Sequence, residues 1–525
     1  MIRWSKGLGR GSLAVLCLIL FLTFLDNTIV SVVLAGVQSD LSAGVQDLQW
    51  IVDGYMLTFA ALMLTGGTLG DLFGRKKIML SGVVLFSAGS AISLFAPSVA
   101  VLTAGRVIMG IGAAASEPGT LSMIRQIYPD QRRRARALAV WTAVSAVALA
   151  FGPIIGGLIT GAYSWRGVFL LSLVLGVFAL IAGALVLPES SDRAGRRLDA
   201  RGLILGAVSI IAATFAVIRG ETDGYGAWYI IVLFVVAGLT ALAFLLAERR
   251  HADPVLKLKF FRSPLFTLSN FTAFSVNFGV FAIFFFTALY LQIIAGFSGY
   301  QIALSFVTMA LAMIAGALFS GRWLSKTAPL LPLSVGSLLA GGGVFAVNGV
   351  LTPDLKLTSL AWPLAVTGLG FGIALTTSAV SVLAIVPQKR SGMAASTLNT
   401  SRELGGVFGV AILGSIVNGQ LTTHLTQKLS AIGLPDSFQS LVIYATTHGG
   451  NTPPNIHVNA SKVLAHPALI QQITNSAYQA FGDGLTIALR VAGILILATA
   501  LITSITLFAR GQLRPIKTLD SLEVL

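Results

Sequence analysis

About fourteen long apolar runs follow one another along this chain, separated by short polar connectors. Each run has the length of about 20 residues that an α-helix needs to cross the hydrocarbon core of a bilayer. Only 10% of the residues are charged, whereas a soluble domain has about 25%. The pattern therefore predicts an all-α polytopic membrane protein. The predicted spans lie at about 11–36, 49–70, 78–97, 101–123, 138–160, 167–187, 202–219, 227–247, 265–293, 301–321, 329–350, 359–386, 395–417 and 485–509.

The lysines and arginines are distributed unevenly between alternate connectors. If the N-terminus is cytoplasmic, the outward connectors contain only Arg166, Arg219, Lys356, Lys428 and Lys462. This positive-inside distribution predicts a multi-pass protein of the cytoplasmic membrane with both termini cytoplasmic. In a soluble protein the net charge of +15 would suggest a nucleic-acid partner. Here the cations lie beside the bilayer, so we expect contact with membrane lipids and no nucleic-acid partner. The first run exceeds the apolar length of a signal peptide, about 7–15 residues, so we expect it to remain as a span.

The predicted spans form groups of six, two and six, with charged segments between the groups. We expect a six-helix bundle at 1–190, a linker with two additional membrane helices at 191–262, and a second six-helix bundle at 263–525. The second bundle includes a long outer segment at about 418–484, which we predict to be a partly ordered cap. Its four histidines lack the close spacing of metal ligands, so we expect no metal site. They are His424, His448, His457 and His466.

The connector after the second run reads GTLGDLFGRKK, and each of its polar or small residues has a physical role. Gly67 allows two helices to approach closely, and Gly74 permits a turn with positive φ. Asp71 is a carboxylate at a helix end that can pair with a cation or with the N-terminus of another helix. Arg75 and Lys76, with the lysine that follows, hold this connector on the cytoplasmic side.

Ionisable residues inside a span are costly and are therefore candidate functional residues. Asp26 in the first run and Arg106 in the fourth fall at a similar depth, so they could form a proton-responsive pair or a fixed structural ion pair. Glu117 could take part in proton coupling or form a hydrogen bond to a neighbouring helix. Asp53, near the outer end of the second run, could be a site of substrate or proton entry or a hydrated surface residue. Two further charged residues near the inner end of the thirteenth run are Arg402 and Glu403.

The fifth run contains a glycine-proline segment. Pro153 removes a helix hydrogen bond and should kink the helix. Gly152, Gly156 and Gly157 offer a flat surface for helix packing. The alternative to a specific motif is an ordinary contact between small residues, which is common in membrane helices. The ninth run is crowded with aromatic residues, for which a lipid-facing stripe is the favoured interpretation over a substrate surface. These are Phe281, Phe284, Phe285, Phe286 and Tyr290.

These segments together resemble the fourteen-helix drug/proton antiporter branch of the major facilitator superfamily, over nearly the whole chain. The matching pieces are Leu25–Val30, Leu48–Tyr55, Gly67–Lys77, Arg106 with Gly110 and Gly112, Gly152–Gly157, Trp165–Arg166, Tyr290–Gln292 and Arg402–Gly406. The resemblance implies the major facilitator fold, with two six-helix bundles plus two extra central transmembrane helices. The chain departs from the family pattern at Ser31, Ala35, Gly36, Met109 and Glu117.

The resemblance also implies roles for the motif residues. Asp26 and Arg106 would act in proton coupling, the glycine-proline motif would favour antiport over symport, and the GTLGDLFGRKK connector would act as a cytoplasmic latch. The predicted function is therefore proton-coupled efflux of hydrophobic or cationic drugs by alternating access. A dedicated exporter of one metabolite, lipid or antibiotic is the alternative, and a membrane sensor or scaffold without transport is a third.

No pattern in the sequence indicates an enzyme. No nucleophile-base pair, phosphate loop or metal cluster stands out, and there is no Walker-type motif for ATP. We therefore expect no cofactor and a proton gradient as the energy source. The expected partners are small hydrophobic substrates and protons, with the monomer as the functional unit. The single cysteine, Cys17, cannot form an intramolecular disulfide.

Overall fold

Fourteen helical spans account for almost all of the structure. The computed structural model describes residues 6–43, 45–190, 198–251, 253–297, 299–324, 326–352, 355–431, 439 and 467–510. The helices are α1 (Lys6–Leu41), α2 (Val45–Phe73), α3 (Arg75–Leu94), α4 (Val99–Ile127), α5 (Gln131–Ala162), α6 (Arg166–Val186), α7 (Ala200–Asp223), α8 (Trp228–Arg250), α9 (Pro264–Ala282, continued by Ile283–Thr287 and Ala288–Ile293), α10 (Gly299–Trp323), α11 (Leu330–Val350), α12 (Leu357–Ile385), α13 (Ser391–Ala431) and α14 (Pro467–Arg510).

The predicted all-α polytopic architecture is confirmed. Of the described helices, 13 are long and apolar enough to cross a membrane, and the bent α5, counted as one span, makes 14. Each of the fourteen predicted apolar runs falls on one helix of this series, and most ends are displaced by a few residues, with larger displacements at the last two helices. Most helices extend past the predicted limits at one or both ends, because a hydropathy pattern marks the apolar core of a span and not its polar end turns.

Short polar side chains set the start of several helices, as the physics of helix ends requires. The Ser98 hydroxyl accepts the Val101 N–H at 3.5 Å at the start of α4. Asp130 accepts the Arg133 N–H at 2.9 Å and begins α5. The hydroxyl or carboxylate replaces the acceptor that the first turn of each helix lacks, so the connectors can be brief.

The last two helices are longer than the sequence predicts. α13 continues to the end of the described stretch, and α14 begins well before its predicted start near 485. The predicted outer segment 418–484 is therefore helical at both ends. His424 Nδ1 lies 3.4 Å from Asp483 Oδ2 and links the two helical extensions. The other three histidines of that segment, His448, His457 and His466, lie outside the described residues.

The first six helices (the first half) and the last six (the second half) meet mainly along two helix pairs, with further contacts of α4 with α13 and of α5 with α12. α2 packs against α13, and α5 packs against α10. The additional helices α7 and α8 pack against each other, and α7 also contacts α2 and α13. Trp50 of α2 and Phe215 of α7 have ring centroids 5.5 Å apart. α7 therefore lies beside the junction between the first six and the last six helices. The predicted domain limits at 190 and 262 stay a prediction.

The aromatic run of the ninth span is not a lipid-facing stripe. Residues Ile283–Thr287 form a π-helical turn, which inserts an extra residue into the helix. Phe286 and Tyr290 are buried, whereas Phe285 is exposed. Phe284 packs on Phe306 of α10 with ring centroids 4.8 Å apart. The aromatic side chains thus point in several directions, because the extra residue changes the register that a regular helix would impose.

Candidate functional site: a cross-half latch and two buried charge clusters

The carboxylate of Asp71 joins α2 to the N-terminus of α13. It accepts the backbone N–H groups of Gly392 at 3.0 Å and of Met393 at 3.1 Å. The first N–H groups of a helix have no partner within the helix, and they carry the positive end of its dipole. Asp71 is only 2% exposed, so water competes little for these bonds. The sequence predicts that Asp71 can pair with a helix end, and in the structure that helix end belongs to the other half.

Arg75 holds the Asp71 carboxylate in this position. Its Nη2 lies 2.5 Å and its Nε 3.0 Å from Asp71 Oδ1, a charge-assisted contact of the stronger kind. Arg75 also donates from Nη1 to the Ser190 hydroxyl at 2.8 Å, and its backbone N–H donates to the Ser190 carbonyl at 2.9 Å. The guanidinium therefore connects the latch to the segment after α6.

The predicted small-residue positions of the latch are packed too closely for a side chain. A Cβ on Gly67 would stand 2.5 Å from the Ser396 Cβ and 2.6 Å from the Gly392 carbonyl oxygen. Gly74 has φ +117°, and a Cβ there would stand 2.8 Å from a Glu189 carboxylate oxygen. Glycine is required at both positions, by close approach at the first and by backbone conformation at the second.

Glu189 joins the segment after α6 to the start of α3, a contact that the sequence does not reveal. Its carboxylate accepts the backbone N–H groups of Lys76 and Lys77, each at 3.2 Å. These are the free N–H groups at the start of α3. The Lys76 ammonium donates to the Ala184 carbonyl at 2.7 Å. Because Glu189 follows Pro188 after α6, its sequence context indicates a linker, and only the fold brings it to α3.

A second contact between the halves lies beside the latch. Gln388 Nε2 donates to Gln126 Oε1 at 2.6 Å, which joins the end of α4 to the connector before α13. Near the same end, a Cβ on Gly321 of α10 would stand 3.1 Å from the Ala139 Cβ of α5. The two main helix pairs between the halves, α2 with α13 and α5 with α10, are therefore in close contact at the latch end.

Asp26 and Arg106 form a buried ion pair between α1 and α4. Each residue is 1% exposed. The Arg106 Nε donates to the Ile51 carbonyl of α2 at 3.0 Å, and its guanidinium carbon lies 4.4 Å from the Tyr55 ring centroid. Among the described residues, the second Asp26 oxygen accepts no hydrogen bond. The structure thus brings together the two charges that the sequence places at similar depth.

The glycines of the fifth helix pack against the turn of α1 that follows Asp26. A Cβ on Gly152 would stand 2.9 Å from the Thr28 Cβ, and a Cβ on Gly156 would stand 3.0 Å from the Ile29 carbonyl oxygen. Gly157 does not belong to this surface, because within the described part of the chain no atom comes within 4 Å of its added Cβ. The prediction of a common packing face is therefore wrong for Gly157.

The fifth helix is bent, as expected for a helix that contains a proline. Its parts Gln131–Leu149 and Ile154–Ala162 meet at an angle of 40°. Pro153 lies in the interval between them, where a missing N–H leaves a carbonyl of the preceding turn without its helix partner. Gly152 in this interval and Gly156 just after it make the contacts with α1.

Glu117 faces Arg402, a buried arginine to which the sequence analysis gives no role. Arg402 of α13 has its Nη1 4.0 Å from Glu117 Oε1 of α4. The exposed fractions of the two residues are 3% and 0%. The Arg402 guanidinium carbon lies 4.9 Å from the Phe24 ring centroid and 5.4 Å from that of Trp141. The sequence feature that could have identified Arg402 is a pair of adjacent charged residues, Arg402 and Glu403, inside an otherwise apolar run.

Asp53 lies away from both charge clusters and belongs to the neighbourhood of α7. It is half-buried and within electrostatic reach of Arg219 and Glu221, both on α7. Glu221 in turn accepts a hydrogen bond from Asn418 Nδ2 of α13 at 3.3 Å. The structure therefore places Asp53 at the junction of α2, α7 and α13, with a second carboxylate beside it.

The described residues contain no cluster of three or more histidine, cysteine or acidic side chains that could bind a metal ion. The site therefore contains one buried ion pair, Asp26–Arg106, a buried contact between Glu117 and Arg402, and the charge-assisted hydrogen bonds from Asp71 across the halves.

Comparisons with known proteins agree on one family. Residues 16–410 match the family model of the Major Facilitator Superfamily. The Multidrug resistance protein Stp of Mycobacterium tuberculosis is 30% identical over 90% of this chain and 87% of its own length. The Methylenomycin A resistance protein of Bacillus subtilis is 31% identical over 80% and 90%. Among solved structures, the human organic anion transporter MFSD10 superposes with a TM-score of 0.62 at 14% identity, covering 94% of this chain and 99% of that one.

Proposed function

We propose that this chain, which belongs to the Major Facilitator Superfamily, exports hydrophobic or cationic small molecules across the bacterial membrane in exchange for protons. The Asp26–Arg106 pair is the observation that carries the proposal. A buried carboxylate with a single cationic partner is a group whose charge changes with protonation, and such groups mark proton pathways in membrane proteins. The multidrug resistance protein that resembles this chain supports drugs as the substrate class.

Protonation of Asp26 would be transmitted to the far half through packed helices. A proton on Asp26 removes its charge and weakens the pair, while Arg106 keeps its contacts with the Ile51 carbonyl and the Tyr55 ring. α1 is then free to shift relative to α4. Because Thr28 and Ile29 rest on the glycines of α5, and α5 packs on α10, a shift of α1 moves the contact between the halves.

The latch would hold the halves together at its own end until that shift occurs. Opening breaks the two bonds from Asp71 to α13 and separates Gly67 from Ser396. We place the latch and both termini on the cytoplasmic side, since Arg75, Lys76 and most other cations lie in that set of connectors. The contacts of the latch are formed in this structure, so the halves would separate on the opposite side.

The proton gradient would supply the energy. One charge that moves inward across the membrane gains about 2.3 kcal/mol per 100 mV. The transporter would need no cofactor and would act as a monomer. Asp26, Arg106 and Glu117 are the proposed coupling residues, and Asp53 is a proposed entry residue for substrate or proton.

A dedicated exporter of one antibiotic is the second candidate. The methylenomycin A resistance protein, which is named for a single compound, favours it. The two candidates differ in the width of the substrate range and not in the coupling machinery. A resistance profile against chemically unrelated inhibitors separates them, because a dedicated exporter protects against only one class.

The test is retention of a fluorescent lipophilic cation in cells that express the protein, with and without a protonophore. Wild-type cells should retain less dye than cells with an empty vector, and the protonophore should remove the difference. Asp26→Asn should remove it as well, at unchanged protein level in the membrane. Asp40→Asn is the matched control. That carboxylate is partly exposed and pairs with Arg166, so its loss should leave efflux intact.

Two outcomes would contradict the proposal. Efflux by Asp26→Asn against a gradient would show that coupling does not use this carboxylate. Efflux that persists in de-energised cells would show that the proton gradient is not the energy source.

A further inference from the structure

A buried cluster at the junction of the halves contains two carboxyl groups and only one cation. Glu117 comes from α4, and Arg402 and Glu403 come from α13. Their exposed fractions are 0%, 3% and 8%. Glu403 acts electrostatically on Glu117, and Arg402 acts on both. Tyr55 of α2 is a further titratable group within electrostatic reach of Glu117 and Glu403.

We propose that Glu117 and Glu403 form a second proton-binding site, which holds one proton shared between the two carboxyl groups opposite Arg402. This inference rests on the proposed function, because it identifies a further proton carried by the same exchanger.

Charge balance supports a single proton. With both carboxyl groups ionised, the cluster has a net charge of −1, and an unpaired charge in a buried site is strongly unfavourable. One proton on the pair gives a neutral cluster. The nearby Asp26–Arg106 pair is already balanced, so it cannot compensate the excess negative charge. Two interacting buried carboxyl groups that face the same arginine bind their proton as a pair and not as separate residues.

The geometry at Arg402 also supports a neutral carboxyl group. The 4.0 Å between Arg402 Nη1 and Glu117 Oε1 is longer than the roughly 2.7–2.9 Å of a charge-assisted hydrogen bond. Within the described residues, neither Glu117 oxygen accepts a hydrogen bond. The guanidinium is instead stabilised by the faces of Phe24 and Trp141. Arg402 is therefore a cation that does not depend on an ionised Glu117.

The position of the cluster couples the proton to the contact between the halves. Glu117 is on the first half, whereas Glu403 and Arg402 are on the second. Separation of the halves would leave Glu117 without its acidic neighbour, and Glu403 alone with Arg402. The proton would then stay on the carboxyl group of one half only. A transporter that carries one proton at Asp26 and one here would exchange two protons per cycle.

The test is infrared spectroscopy of the purified full-length protein at neutral pH, which detects the carbonyl stretching band of a protonated carboxyl group. Glu117→Gln and Glu403→Gln should each remove the same single band, because the remaining carboxylate then ionises opposite Arg402. The double variant should lose no more than either single variant. Arg402→Gln should double the band, since both acids then take a proton. Glu221→Gln, which changes a half-buried acid on α7, is the matched control and should leave this band in place.

A wild-type spectrum without the band would overturn the proposal. So would a band that survives in either single variant, or two different bands whose losses add in the double variant. The measurement needs no substrate, so it is independent of the efflux test. Failure of efflux with an intact shared band would overturn the proposed function and leave the proton site standing.

Discussion

A hydrogen bond of 3.0 Å joins the carboxylate of Asp71 to the backbone N–H of Gly392, 321 residues further along the chain. The bond connects α2 to the first turn of α13, where the helix dipole adds to its strength. Arg75 prevents the carboxylate from turning away. The two halves are thus joined at this end by backbone groups that, at these positions of α13, only a substitution by proline would remove.

Asp71→Asn should weaken the closed latch. Asparagine keeps an acceptor oxygen but loses the charge, and hydrogen bonds to a charged group contribute about 1.5–3 kcal/mol. We expect closure of the latch to become at least about tenfold less favourable and dye efflux to fall accordingly. Efflux from cells at matched expression measures the effect. Asp223→Asn, which removes the partner of Arg219 on α7, is the control and should transport normally.

Gly152→Ala and Gly157→Ala form a matched pair on one helix. The first adds a methyl group against Thr28, where overpacking costs about 1–3 kcal/mol. The second adds it where the described surroundings are open, and it should be neutral or slightly stabilising. We expect a lower midpoint of thermal unfolding and reduced efflux for Gly152→Ala only. Equal effects of the two variants would show that the contact with α1 is unimportant.

The sequence predicts most of the fold because the bilayer restricts the choice to helices of defined length. Apolar runs give the fourteen spans, and the GTLGDLFGRKK connector gives the latch. The partner of Asp71 could not be predicted, because Gly392 and Met393 contribute backbone N–H groups, which every residue other than proline has. Glu189 was missed for the same reason, since its partners are also backbone groups.

Arg402 illustrates a different limit of sequence reasoning. A charge in an apolar run is visible, but its neighbours depend on how α13 is rotated relative to α4. The 40° bend of α5 and the π-helical turn of α9 change register in ways that a regular period of 3.6 residues does not predict. For that reason the face occupied by Gly157 and the directions of Phe286 and Tyr290 were predicted wrongly.

Cross-linking of Gln126 and Gln388 should arrest transport. Their side chains share a hydrogen bond of 2.6 Å at the latch end, so cysteines at both positions can be bridged by a short reducible cross-linker. We expect loss of efflux after cross-linking and recovery after reduction. Cys17 is buried and should not react, so each single-cysteine variant is the control. Full efflux with the cross-link in place would show that the latch does not open during transport.

Glu189→Gln should destabilise the start of α3 and leave the charge clusters intact. The substitution replaces a carboxylate that accepts two helix N–H groups by a neutral amide, and loss of a helix cap costs about 1 kcal/mol. We expect faster hydrogen exchange at the amides of Lys76 and Lys77 and a slightly lower midpoint of unfolding. Unchanged exchange at these two amides would contradict the assigned role.

α7, which packs against α8, contacts both halves of the protein. α7 touches the first half through Trp50 and Phe215, and it touches the second half through Glu221 and Asn418. Any separation of α2 from α13 must stretch one of these contacts or carry α7 along. We therefore expect the two halves to rotate about the edge that α7 occupies more easily than to separate along it. The two added spans thereby limit the directions in which the two halves can separate.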